Sequence, residues 1–283
     1  MSDLVQRIRL RAGYEIKKFI RKPLRRFVTP FKSKDNAPVI IHCCYHKIGT
    51  HWIGRILRDI SAEYGLSFKT GFDYRTIKGF EDNQDADIFL DLGSHVKLDQ
   101  LPNYVGSHMI RDPRDMVVSG YFYHKWTDEH WANFPKAEYR GMSYKEYLNS
   151  LDQNAGLLEE IKRVSFWVPH MASWDFNNPR MYEIKYEDII VDEQPIFHEM
   201  FTHYGFSGQA VDRCCHIAEK YSIQRLKKKK KKGDSPKKSG GSHIRSGKTG
   251  EWKELFKNEH KKLFKELYPN ALVRLGYEID DNW

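Results

Sequence analysis

The stretch Val39-Ile40-Ile41-His42-Cys43-Cys44-Tyr45-His46-Lys47-Ile48-Gly49-Thr50-His51-Trp52 decides how this chain is read. An apolar run through Cys44 predicts a buried strand. Trp52, Ile53, Ile56, Leu57 and Ile60 then recur on one face of a helix that should end at Gly65. A strand that turns through Lys47, Gly49 and Thr50 into a helix brings backbone N–H groups, a cation and a hydroxyl to one point. Such a point binds phosphate or sulfate. A nucleoside-triphosphate loop needs G-x-x-x-x-G-K-[ST], whereas here the lysine precedes the glycine. A kinase or GTPase reading therefore loses its main support.

Working outward, the 283 residues are 40% hydrophobic and 14% aromatic, enough to fill the core of one sizeable α/β domain, which the boundaries below place over residues 35–283. No apolar run is long enough for a membrane span or a signal-peptide core, so a soluble, cytoplasmic protein is expected. The four cysteines form two adjacent pairs, Cys43-Cys44 and Cys214-Cys215, without zinc or redox spacing. On a strand the first pair should point to opposite faces and pack. Residues 1–34 hold eleven Lys or Arg against Asp3 and Glu15, which accounts for the whole formal charge of +9. Within this arm Val5, Ile8, Ala12, Ile16, Phe19 and Ile20 lie at near-helical spacing. A basic amphipathic helix of this kind suits peripheral contact of residues 1–26 with an anionic membrane, and equally suits packing on the domain. With the excess charge confined to the arm, nucleic acid is not the expected partner.

The body alternates apolar runs with amphipathic segments, as βαβ units do, and predicts a mainly parallel sheet flanked by helices. Strands are expected at Val39–Tyr45, Asp87–Leu92, Tyr104–Ile110 and Arg180–Lys185. Asp112-Pro113 reads as a helix cap with proline in the first turn, and Ser143-Tyr144-Lys145-Glu146 as a capping box. Residues 226–250, with six consecutive lysines at Lys227 to Lys232 followed by Gly, Ser and Pro, predict a mobile loop. In open α/β sheets ligands bind beyond the carboxyl ends of strands. Those ends carry Lys47-Ile48-Gly49-Thr50, Gly93-Ser94-His95, Arg111-Asp112-Pro113-Arg114-Asp115 and Tyr186-Glu187-Asp188. Cations, an imidazole and a phenol are the parts required by a polyanionic nucleotide with a proton-transfer step beside it.

Four motifs in order resemble the cytosolic-type sulfotransferases, which use 3′-phosphoadenosine 5′-phosphosulfate (PAPS). Tyr45 to Trp52 resembles that family's Tyr-Pro-Lys-Ser-Gly-Thr-Thr-Trp loop, departing from it at His46, Ile48 and His51. Ile110 to Tyr121 resembles the 3′-phosphate motif, Tyr186-Glu187-Asp188 the Tyr-Glu-Asp element, and Arg245 to Lys253 the C-terminal Arg-Lys-Gly-x-x-Gly-x-Trp-Lys signature. The resemblance implies a P-loop-like three-layer fold and sulfuryl transfer from PAPS by in-line displacement, leaving PAP (3′,5′-ADP) and requiring no metal. It assigns Lys47 to catalysis and Lys47, Ile48, Gly49, Thr50, His51 and Trp52 to the phosphosulfate and adenine. It assigns Arg111, Ser119, Arg245, Ser246 and Gly247 to the 3′-phosphate, and Tyr186 and Ser222 to the rest of the nucleotide pocket.

His95 takes the place of the family's general base, although the usual Lys-Thr-His-x-Pro is here Gly93-Ser94-His95-Val96-Lys97; His51, His124 and Asp99 are rivals. Tyr121, Phe122, Tyr123, Trp126, Trp131, Phe134 and Tyr139 crowd the region where an acceptor pocket is expected. They suit a small-molecule, glycan or lipid acceptor carrying a hydroxyl or amine. Two other readings stay open: a magnesium-ATP kinase on a related fold, and a non-catalytic polyanion binder driven by the arm and the lysine run.

Overall fold

The computed structural model describes residues 30–31, 37–71, 86–101, 103–225 and 247–283. The basic arm as far as residue 29, the lysine run, Arg245 and Ser246 lie outside them. Five strands, β1 (Val39–Cys43), β2 (Phe68–Gly71), β3 (Ile88–Asp91), β4 (Tyr104–Ile110) and β5 (Met181–Lys185), form one parallel sheet in the order β2-β3-β1-β4-β5. All four expected strands are present within a residue or two at their ends. The fifth, β2, was not expected. It is a short edge strand, Phe-Lys-Thr-Gly, with one buried residue in four, so it has no apolar run to announce it.

β1 is central, and a central parallel strand must be apolar on both faces. Ile40 and Ile41 are fully buried, on opposite faces. Burial of each contributes roughly 1.5–3 kcal/mol. Cys43 packs with Ile41 and Phe89 on one face and Cys44 joins the main core on the other, as strand alternation requires.

The main helices are α1 (Thr50–Tyr64), α2 (Pro113–His124), α3 (Tyr144–Ser150), α4 (Gln153–Arg163), α5 (Tyr186–Val191), α6 (Glu193–His203), α7 (Gly208–Glu219) and α8 (Asn258–Leu267). α1 ends at Gly65, in the left-handed conformation that favours glycine. α2 starts on an Asp112 side chain that accepts the Arg114 N–H, with Pro113 in its first turn. Ser143 and Glu146 form the expected capping box at α3. Helix α1 packs against α7, α6 against β4 and β5, and α4 between α2 and α8. From β1 the chain builds β2 and β3 on one side, then crosses to β4 on the other. The carboxyl ends of β1 and β4 thus flank the point where strand order reverses, the usual ligand crevice of such sheets.

His42 is a buried polar group at the centre of β1. One ring nitrogen, Nδ1, bonds Ser107 Oγ at 2.7 Å, and Ser107 bonds the Tyr204 hydroxyl. The other, Nε2, is buried without a partner. Burial, aided by nearby His108, lowers its pKa to about 3. The folded state therefore binds fewer protons here than the unfolded chain, and the stability tied to neutral His42 is lost as pH falls from the ordinary imidazole range toward 3. Between pH 7 and pH 5 we expect His42 to account for a loss of about 2 kcal/mol in urea unfolding, with a shallower pH slope in His42→Gln. Equal slopes in the two proteins would refute the assignment.

Candidate active site

A cleft of about 1000 Å³ opens over the strand ends, and each of the four expected ends contributes to it: Lys47, Gly49 and Thr50 after β1, Leu92 and His95 after β3, Arg111 after β4, Tyr186 after β5. The β1 turn is shaped by two left-handed residues. Gly49 has φ 92°, which glycine adopts freely, but Lys47 has φ 68°, a conformation costly for a side-chain-bearing residue. Strain of this kind persists where the surroundings over-determine it. Here the Thr50 hydroxyl donates to Tyr45 O at 2.8 Å, closing the turn. That hydroxyl proton is therefore committed within the loop, and the Thr50 backbone amide at the start of α1 is what remains for an anion. Lys47 Nζ lies 3.4 Å from the centroid of the Tyr123 ring. Ile48 is wholly buried in the core and does not line the cleft. Trp52 lines the cleft, yet is 6% exposed and packs edge-on against Phe197.

Arg111-Asp112-Pro113-Arg114-Asp115 is the junction of the whole site. Arg111 donates to Lys47 O at 3.0 Å and to Lys248 O at 3.4 Å, and its guanidinium rests 4.6 Å from the centroid of the Tyr186 ring. Its Nε is buried without a partner among the described residues. Asp112, besides capping α2, holds the Arg114 guanidinium at 2.7 and 3.0 Å. Arg114 also pairs with Glu278 and lies between the Trp252 and Trp283 rings. Asp115 accepts the Gly250 and Trp252 N–H groups, which fixes the C-terminal motif against α2. Residues 247–250, the end of the stretch expected to be mobile, are thus tied to the domain. Glu187 of the Tyr-Glu-Asp element accepts the Asp112 N–H and the Tyr277 hydroxyl. Burial raises its pKa, as it does that of Asp115.

Ser119 and Gly247 also line the cleft, while Arg245 and Ser246 fall outside the described residues. Ser222 is not brought to the cleft. It lines a separate pocket with Glu193 and Gln194, because the turn after α7 directs it toward α6.

Four imidazoles line the cleft, those of His46, His51, His95 and His130, and the first two lie within electrostatic reach of Lys47. His95 is exposed on a turn that Asp91 organises by accepting the Gly93 and Val96 N–H groups. Its ring folds back over Gly93, where a Cβ would come within 2.6 Å of it, so a side chain at that position would turn the imidazole aside. Asp99 and Lys97 are exposed nearby but do not line the cleft. His51 lines it on the first turn of α1. His46, at the position where the resembled motif has proline, was not singled out from the sequence. It stacks on His124 and Trp167, and its Nε2 lies 3.0 Å from His124 Nε2. Buried His124 in turn pairs through Nδ1 with Glu160 at 2.6 Å, and Glu160 also accepts the Tyr144 hydroxyl.

Of the aromatic residues expected to build the acceptor wall, Tyr123 and Trp131 line the cleft, whereas Tyr121 is core and Trp126 and Phe134 point to solvent. Glu129, Arg163, Phe166 and Trp167 complete that wall. No local signal marked them: Phe166 and Trp167 follow α4 and reach the cleft only because α4 packs on α2.

The family model of the sulfotransferase domain matches residues 37–276. No curated protein matches the chain by sequence. Among solved structures, mouse sulfotransferase SULT7A1 complexed with PAP is similar at 18% identity and a TM-score of 0.54, over 87% of this chain and 88% of that one. Retinol dehydratase in complex with androsterone and inactive cofactor PAP is similar at 15% identity and a TM-score of 0.42, over 83% of this chain and 81% of that one. The matched residues run from the start of β1 through the cleft to the C-terminal helices; the chain belongs to the sulfotransferase family, and its chemistry is sulfuryl transfer from PAPS.

Proposed function

We propose that this sulfotransferase holds PAPS across the strand ends and delivers its sulfuryl group to a hydroxyl or amine of a small-molecule acceptor bound against Tyr123, Trp131 and Trp167. The observation that carries the reading is the Arg111 guanidinium, which links the Lys47 turn, the Tyr186 ring and the C-terminal motif at one point. Its buried, unpartnered Nε and the left-handed turn at Lys47 and Gly49 fit a doubly anionic nucleotide. When bound, PAPS supplies an activated sulfuryl group on a 5′-phosphate leaving group.

Lys47 and the amides at the start of α1 stabilise the negative charge that develops on the bridging oxygen. Arg111 and Ser119, with Gly247 and with Arg245 and Ser246, hold the 3′-phosphate. Trp52 and Tyr186 flank the adenine. His95 takes the acceptor proton.

One observation favours a second reading of the base. With His124 neutral, Glu160 accepts its Nδ1–H and its Nε2 accepts from His46 Nε2–H, the tautomer in which His46 Nδ1 presents its lone pair. This is the logic of a carboxylate-oriented imidazole. Burial, reinforced by Lys47, holds the His46 pKa well below the ordinary value, so the ring is neutral at pH 7.

In a thermal-shift comparison, 3′,5′-ADP should stabilise the protein and ATP with magnesium should not. A ligand at a hundred times its Kd contributes about 2.7 kcal/mol. Arg111→Ala should weaken 3′,5′-ADP roughly tenfold to a hundredfold through the loss of charge-assisted hydrogen bonds, and Lys47→Ala should lower kcat by about 10² to 10³. Stabilisation by magnesium-ATP alone would return the kinase reading. Binding that survives both variants and collapses with salt would return the polyanion reading.

For the base, the variant that loses roughly 10² to 10⁴ in kcat while keeping 3′,5′-ADP affinity identifies the proton acceptor. The expected variant is His95→Ala. Turnover retained there but lost in His46→Gln selects the Glu160–His124–His46 chain.

A further inference from the structure

The cleft carries more positive charge than the proposed donor contacts account for. Beyond Lys47 and Arg111, its lining includes Arg55, Arg58 and Arg163, against the carboxylates Glu129 and Glu251 alone. Arg55 and Arg58 are exposed three residues apart along α1, on the side that His51 begins. Arg163, the last residue of α4, has its guanidinium carbon 3.8 Å from the Trp131 ring centroid and 4.7 Å from that of Tyr144. Its Nε is buried without a hydrogen-bond partner, and among the described residues no carboxylate pairs with it.

The acids within reach are otherwise engaged. Glu160 serves His124 and Tyr144, and Glu159 serves Lys162. Glu129 accepts the Tyr123 hydroxyl and the Trp131 indole N–H, each at 2.6 Å, and its charge is felt by Lys47. A guanidinium laid on aromatic faces is fixed in orientation while its edge stays open to a planar anion. The charge of Arg163 also reaches His46, beside Lys47, where it helps to keep that imidazole neutral. Arg163 therefore lies within electrostatic range of the reacting corner. A neutral acceptor lying over it would leave a half-buried cation uncompensated, whereas an anionic one would pair it.

We propose that Arg163 is an anion subsite for the acceptor, which carries a carboxylate or sulfate beside the hydroxyl it presents to Lys47. The proposal rests on the sulfotransferase reading above. In the transfer, the acceptor oxygen–sulfur bond forms as the bond from sulfur to the 5′-phosphate oxygen breaks, the leaving oxygen keeps the electron pair, and an imidazole takes the proton. The anionic group is unchanged throughout and only positions the acceptor. Acidic saccharides and small aromatic hydroxy acids share this chemistry. The Arg55 and Arg58 row distinguishes them, since only an extended acidic chain would engage it as well.

The test uses the full chain and calorimetric binding at low salt, with and without 3′,5′-ADP. Probes are para-hydroxybenzoate against para-hydroxybenzamide, a glucuronate-containing disaccharide against its neutral counterpart, and tyramine as a cationic phenol. The anionic member of at least one pair should bind about tenfold tighter or more, the size of one charge-assisted contact. That preference should vanish in Arg163→Gln and return in part in Arg163→Lys, with 3′,5′-ADP affinity intact.

A preference within the disaccharide pair that also falls in the Arg55→Ala, Arg58→Ala double variant marks an acidic saccharide. One within the benzoate pair that ignores the double variant marks a small aromatic acid. No preference for either anion, a preference that survives Arg163→Gln, tighter binding of tyramine, or equal weakening of neutral and anionic probes in Arg163→Gln would each overturn the subsite. Failure of 3′,5′-ADP to bind would count against the donor site alone, because the arms without it still judge the subsite.

Discussion

The site depends on a guanidinium that pairs with no carboxylate among the described residues. Arg111 spends its two terminal nitrogens on main-chain carbonyls, Lys47 O and Lys248 O, and its face on the Tyr186 ring. Carbonyls hold the cation in place without neutralising it. A carboxylate in the same position would compete with any incoming phosphate. The neighbouring acids are instead consumed elsewhere: Asp112 by Arg114, Asp115 by two backbone amides, and Glu187 by an amide and a phenol. The motif thus sorts its charges, keeping one cation open and satisfying every anion locally.

Most of the fold and the meeting of the strand ends at one cleft were legible from local pattern. β1 and β4 announce themselves as apolar runs, α2 and α3 by their caps, and the turn at Lys47 by its glycine. β2 was invisible because an edge strand with one buried residue needs no apolar run. The role of Thr50 was only half legible: its hydroxyl closes the turn on Tyr45 O, which depends on the path of the loop and not on residue order. Ser222 went astray because a serine carries no periodicity, and its place on the far side of α7 is a matter of helix direction.

The acceptor half was poorly legible for a related reason. Its wall is assembled from α2, the turn after α4 and the stretch around Glu129, which are distant in sequence and joined by side-chain contacts. Seven aromatic residues between Tyr121 and Tyr139 look alike on paper. Packing then sends Tyr121 inward, Trp126 and Phe134 outward, and only Tyr123 and Trp131 to the cleft. The Glu160–His124–His46 chain spans three elements and could not be read from spacing at all.

The contact between Lys47 Nζ and the Tyr123 ring joins the two halves. An ammonium on an aromatic face is held in place by the ring quadrupole. Tyr123 is also bonded through Glu129 to Trp131, which lines the same wall of the cleft. The chain from Lys47 through Tyr123 and Glu129 to Trp131 is therefore a physical route by which a movement of the lysine would be felt at Trp131. A coupling carried along that route acts equally in both directions, so whatever binds at the lysine and whatever rests on Trp131 would change each other's affinity by the same factor.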